Sequence, residues 1–184
     1  MSRLDTTNVL ATKMGGGHME SVVGRETTGG DDKAVQVGEF GTIGALIKDN
    51  VYEFLPLAAA TDKLYVIATP EVNYRDEDIT DRVIKNFVLE DGAVVDAVPL
   101  VVGDKISISE DGIEGVTGSV AETGYAYTKA SKRKLQYSAT KPATGDELAI
   151  FKIEAITPNA QNIVVGLGGK ALNLSYNMVK LRLL

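Results

Sequence analysis

Three features of the sequence predict a mainly β protein, an antiparallel sandwich or barrel with one short helix and an extended N-terminal arm. Short apolar runs rich in Val, Ile, Tyr and Phe recur behind Gly, Asp-Asn or Thr-Asp turn signals, which is the pattern of consecutive antiparallel strands. Apolar and polar residues alternate with a period of two, most regularly where Leu172, Leu174, Tyr176 and Met178 alternate with Asn173, Ser175 and Asn177. The runs follow one another at about 8 to 12 residues, a spacing that favours a sandwich or barrel over a parallel α/β sheet.

The division expected along the chain is an arm over 1–33 and a β-rich domain over 34–184, with room for two sub-sheets. Residues 1–33 are dominated by Gly, Thr, Ser, Asn and charge, with Gly15, Gly16 and Gly17 in a row. Such a segment buries too little apolar area to offset ordering costs of about 1 to 2 kcal/mol per residue. Fully extended, it would reach roughly 100 Å at about 3.3 Å per residue. Within the arm a short strand is expected over 9–11 or 19–23, and a simple frayed terminus is the alternative to the arm.

Strands are expected over 34–40, 42–48, 51–57 and 63–69. The helix falls over 76–89, where Ile79, Val83, Ile84 and Phe87 line one side behind the acidic start Asp76, Glu77 and Asp78. Further strands are expected over 93–102, 105–109, 134–139, 147–157, 162–167 and 171–183. Gly103-Asp104 and Gly145-Asp146 each precede an apolar run, a weak internal echo.

The chain has 184 residues, enough for one ordinary domain with an appendage. At 44% hydrophobic and 24% charged it can form a core. Its net charge of −6 repels phosphate backbones and anionic lipid, so neither nucleic acid nor a membrane surface is the expected partner. There is no cysteine, which excludes disulfides, Cys-ligated zinc and a thiol nucleophile. Asp5, Thr6, Thr7 and Asn8 interrupt any signal-peptide apolar stretch, and no run approaches the roughly 18 apolar residues of a membrane span. Synthesis in the cytoplasm is the expectation.

Candidates for chemistry all have plainer readings. The single histidine, His18, lies in the glycine-rich arm, a poor place from which to hold acid/base geometry. The acidic group Asp76, Glu77, Asp78 and Asp81 lacks the EF-hand order and suits a helix N-terminus better. Gly168, Gly169 and Lys170 do not complete a phosphate loop, and a hairpin turn explains them. Without Trp, and with aromatics at 6%, sugar platforms are scarce beside any carboxylate pair. No catalytic residue, metal site or cofactor is therefore expected, and the chain reads as a non-enzyme. Lys129, Lys132, Arg133 and Lys134, flanked by Tyr125, Tyr127 and Tyr137, form the one basic cluster in the sequence. It reads as a secondary contact for an acidic protein surface ahead of single-stranded nucleic acid.

The opening LDTTNVLATKM-GGG-HMES, the central IATPEVNYRDED leading to FVLEDGAVVDAVPL, and then VVGDKISIS occur in an order that resembles small virion proteins encoded beside the major capsid protein in tailed phages of Gram-positive bacteria. Residues 112–141 carry no part of that resemblance. The resemblance implies an auxiliary capsid component: a decoration, cement or head-fibre-like protein, present in many copies or as a homo-oligomer on the virion. Its partners would be the major capsid protein or other virion subunits. The arm would supply the contacts, through Leu4, Asn8, Val9, Leu10, Met14, His18 and Met19, ordering as it docks. The alternative is a receptor- or carbohydrate-binding domain of a phage tail or fibre.

Overall fold

The computed structural model describes residues 19–68, 89–143, 147–165 and 170–184. The protein is mainly β, as expected, and its strands form two sheets. The first five make a small barrel: β1 (Glu20–Gly24), β2 (Phe40–Lys48), β3 (Val51–Leu55), β4 (Tyr65–Ile67) and β5 (Val95–Pro99). They are arranged β1-β3-β2-β4-β5, and β5 pairs back to β1. The closure is thin at β2–β4, which pair only through Phe40↔Val66 and Gly41↔Tyr65.

The second sheet holds β6 (Lys105–Ser109), β7 (Ile113–Glu114), β8 (Tyr125–Lys129), β9 (Leu135–Ser138), β10 (Glu147–Val165) and β11 (Lys170–Leu183). Its order is β6-β11-β10-β8-β9-β7. Neither sheet is purely antiparallel, which corrects the expectation: β1 runs parallel to β3 and β7 parallel to β9.

Alternation explains how barrel and sheet share one core. On β4, Tyr65 and Ile67 belong to the barrel interior with Val22, Val35, Phe54, Val95 and Ala97, while Val66 between them packs toward the sheet. β5 does the same with Val95 and Ala97 inside and Val98 toward the sheet. Successive side chains of a strand point to opposite faces, so these two short strands are buried on both sides. At the barrel–sheet junction Phe40 meets Phe151 edge to face, with ring centroids 5.4 Å apart. Each such fully buried side chain contributes about 1.5–3 kcal/mol.

The short strand expected over 19–23 is present as the barrel strand at residues 20–24, with Val22 fully buried. Residues 20–33, assigned to the arm from the sequence, therefore pack as part of the compact body. Val22 and Val23 are the apolar pair that earns the strand its place, and Gly24 allows the next residues to fold back over it. A Cβ at Gly24 would overlap the Val35 side chain and lie 2.5 Å from the Lys33 carbonyl.

Residues 25–33 are then tied down by polar contacts. Lys33 N–H donates to the Gly24 carbonyl at 2.8 Å, and the Arg25 guanidinium donates to Asp32 and Glu53. Glu53 is itself buried on β3 and accepts from the Gly29 and Ala45 amides at 2.7 and 3.2 Å. Burial pushes the Glu53 carboxyl up, but the two amides and the Arg25 charge outweigh it and hold the pKa below the ordinary 4.5.

Other expectations shift for local reasons. Residues 34–39 form a loop, with Val35 and Val37 buried from irregular backbone and Gly38 at φ 83°. The Asp-Asn turn between the second and third apolar runs is a two-residue hairpin: Asp49 and Asn50 both have positive φ, 45° and 66°, as a type I′ turn requires. The helix expected over 76–89 lies, but for its last residue, outside the described residues. Among those described, the helical element is a single 3-10 turn, Glu110–Gly112.

Candidate interaction surface

The two faces of the six-stranded sheet differ sharply. Ile106, Ile108, Phe151, Ile153, Val179 and Leu181 face the barrel and the core. In the opposite phase on the same strands stand Lys105, Lys152, Lys180 and Arg182, all exposed, with Tyr125 and Tyr127 half-buried on β8. In the same phase Ser107, Ser109 and Met178 are buried, so the face is open at the end that carries Lys105, Arg182 and Lys152.

Strand register aligns three of these cations. Lys105 of β6 is the partner of Arg182 on β11, Arg182 is the partner of Lys152 on β10, and Lys152 is the partner of Tyr125 on β8. With strands about 4.8 Å apart, the three positive residues span about 10 Å in a straight row. Like charges directly opposite one another destabilise a sheet, so the row costs the fold stability. Glu154 offsets part of that cost. It accepts from Lys105 Nζ at 2.6 Å and lies 3.9 Å from Arg182. The hydrogen bond from Lys105 holds the Glu154 carboxyl below its usual range. Lys152 and Lys180 enter no ion pair among the described residues.

At one end of the sheet this face runs out into a ribbon. β8 pairs with β10 only as far as Lys152, and β6 with β11 only as far as Met178. Beyond those points β10 and β11 continue paired with each other to Val165↔Lys170. The ribbon's base is fixed by Glu110, which accepts from the Asn177 side chain at 2.8 Å and from the Val120 amide at 3.1 Å. The strands expected over 147–157 and 162–167 are thus one strand as far as Val165, where the described residues pause. Pro158, which interrupts the pattern, is accommodated because β10 has no second neighbour there to need its missing N–H. Gly168 and Gly169 fall in residues 166–169, outside the described set, between the paired ends of the two strands.

The basic cluster singled out in the sequence has a different role in part. Arg133 is 11% exposed. Its guanidinium donates to the Arg25 and Ala34 carbonyls at 2.6 and 3.4 Å, and its own carbonyl accepts from the Phe40 amide. It staples the β8–β9 turn to the barrel and is not available as a contact. Ser131, in the same turn, donates to the Leu57 carbonyl. Lys129 and Lys132 are exposed and Lys134 is half-buried. Beside Arg133, Glu39 is raised above its ordinary pKa by burial, and its Oε2 has no hydrogen-bond partner.

Of the expected arm contacts, Leu4, Asn8, Val9, Leu10, Met14 and His18 lie outside the described residues. Met19 is described; it is 60% exposed, immediately before β1. The cationic row escaped sequence reasoning because its members, at 105, 152 and 182, are brought together only by register. Alternation on each strand was the available signal, and strand order was not.

Comparison of the chain with family models, with curated proteins and with solved structures found no match.

Proposed function

We propose that the protein is a non-enzymatic structural component of a phage virion that attaches to the capsid surface as a decoration, cement or head-fibre-like protein. The observation that carries this reading is the cationic row Lys105, Arg182 and Lys152 on an open sheet face of a chain whose net charge is −6. An exposed row of three cations, only partly neutralised by Glu154 and retained at a cost to the sheet, suits an acidic protein surface. The sequence resemblance supplies the capsid as the class of surface, and the segment 1–18, which joins the body at exposed Met19, supplies a second attachment. Two modest contacts on one subunit, repeated over a shell, give avidity that neither has alone.

Co-sedimentation with candidate phage capsids tests the reading. The double variant Lys152→Glu, Arg182→Glu is expected to lose at least about tenfold in apparent affinity, the scale of desolvated charge pairs at interfaces. Binding by the unaltered chain is expected to weaken as salt rises past about 0.15 M. Deletion of residues 2–18, which leaves β1 intact, is expected to weaken binding further. Undiminished binding by both variants would remove this reading.

A further inference from the structure

We infer that Lys105 and Glu154 act together as a gate on the cationic row, Lys105 holding the Glu154 carboxylate aside so that Arg182 and Lys152 receive a carboxylate of an acidic polypeptide segment. On the reading that the row meets an acidic protein surface, Arg182 and Lys152 are its contact residues and Lys105 is a positioning residue.

Glu154 owes its place to a break in register. Lys152 pairs with Arg182 and Ile153 with Leu181, but the next pair is Ala155↔Lys180, so Glu154 is an extra residue in β10 with no partner on β11. An unbroken register would set Glu154 directly opposite Lys180, a favourable cross-strand pair. The bulge gives that position to Ala155 and sends the carboxylate elsewhere, and re-aiming a side chain is what such bulges do beside functional sites. Lys180 is left exposed and outside any ion pair among the described residues.

The contacts of Glu154 are unequal. Lys105 Nζ donates to Oε2 at 2.6 Å, a short charge-assisted bond, whereas Oε1 lies 3.9 Å from Arg182, beyond hydrogen-bonding range. Lys105 stands on β6 at the edge of the sheet, on the far side of Arg182 from Lys152. Its bond therefore draws the carboxylate away from Lys152. Arg182 keeps donors for another acceptor, and Lys152 enters no ion pair among the described residues. The two are partners on neighbouring strands with side chains on one face, so a single carboxylate can bridge them.

The class of partner follows from what the row already holds and from its size. Its internal occupant is a carboxylate. Its three cations span about 10 Å, a length suited to a few side-chain carboxylates on one acidic loop or strand. A long phosphate backbone would meet the repulsion of a chain at net −6 on either side of so short a row.

Fluorescence anisotropy of labelled poly-glutamate with the full chain is the test, at about 0.1 M salt, where charges more than about 10 Å apart are largely screened. Glu154→Asp keeps the charge on a stem too short to reach across Arg182 to Lys105. It is expected to weaken binding about two- to fivefold, the range of exposed ion pairs, because its carboxylate then competes at Arg182. Lys105→Ala is expected to do the same, and Glu154→Gln to tighten binding by a similar factor. Asp31→Asn, an equal change of charge at an exposed position on the 25–33 loop, is expected to leave affinity unchanged. Affinity indifferent to Glu154→Asp would overturn the gate, since only the position of the carboxylate has changed. A full chain that does not bind poly-glutamate would overturn it too, as would tighter binding of oligo(dT) with the same order of variants, which would assign the row to phosphates. Binding of poly-glutamate in the expected order by a chain that fails to co-sediment with capsids would remove the virion reading and uphold the gate.

Discussion

Along β11, the last residues place Val179, Leu181 and Leu183 against the core, while the preceding stretch carries its apolar residues in the opposite phase and pairs only with β10. Body and ribbon share two strands and follow different physics. The body closes its own accounts: barrel interior, sheet face and the 25–33 loop are each filled by residues from several elements. Beyond its base the ribbon's two strands pair with each other and, among the described residues, with no other strand. A continuous strand can therefore belong to two structural units, and the boundary lies where neighbouring strands stop.

That contrast gives a graded set of expectations for thermal or denaturant unfolding. The largest effect belongs to Phe151→Ala, which removes the ring that joins barrel to sheet and leaves a cavity against Phe40; a loss of about 3–5 kcal/mol is expected. Glu53→Ala comes next, at about 3 kcal/mol, because Arg25 and the Gly29 amide lose a buried partner. Its pH signature sharpens the point. Since the folded pKa of Glu53 is lowered, its contribution is fully present above the ordinary carboxylate value and is lost as pH falls through the folded pKa. Glu53→Gln should flatten that acid limb in a stability-versus-pH series.

Glu39 has the opposite sign. Its folded pKa is raised, so burying it carries no penalty at acid pH and an increasing one as pH rises through the folded value. Glu39→Gln is expected to raise Tm at pH 7 and leave it unchanged at pH 4; a fall at pH 7 would show that attraction to Arg133 prevails. Lys105→Ala, which breaks an exposed pair with Glu154 but also relieves the cationic row, should shift stability by less than about 1 kcal/mol. The smallest effect belongs to Lys180→Ser, an exposed position outside any ion pair among the described residues, which should leave unfolding unchanged within about 0.5 kcal/mol.

Much of this β architecture was legible in the sequence, because turn chemistry and period-two alternation are local. The Asp49-Asn50 hairpin and the strand at 105–109 required nothing more. What was missed depended on neighbours. A strand over 19–23 was one expectation for the arm, but that it belongs to a barrel shows only once β3 and β5 are placed beside it. The strand Tyr125–Lys129 alternates tyrosine with small residues, Ala126 and Thr128, and is recognisable only once β10 packs along it. Thr128 even repairs the irregular register there, its hydroxyl accepting from the Ala149 amide at 2.8 Å. Pro158 breaks a strand signal but not a strand, since the second edge is open. The cationic row is invisible until β6, β11 and β10 are known to be adjacent. Conversely, the alternation of Leu172 to Met178 was plain in the sequence, and only the structure shows that it lies out of phase with the core residues that follow.

Native-state hydrogen exchange addresses the contrast between body and ribbon most directly. Amides of Phe151, Ile153, Val179 and Leu181, in strands flanked on both sides, should be slow, whereas amides of the ribbon, 159–164 and 171–176, should exchange markedly faster. Ribbon amides as slow as those of the body would contradict it.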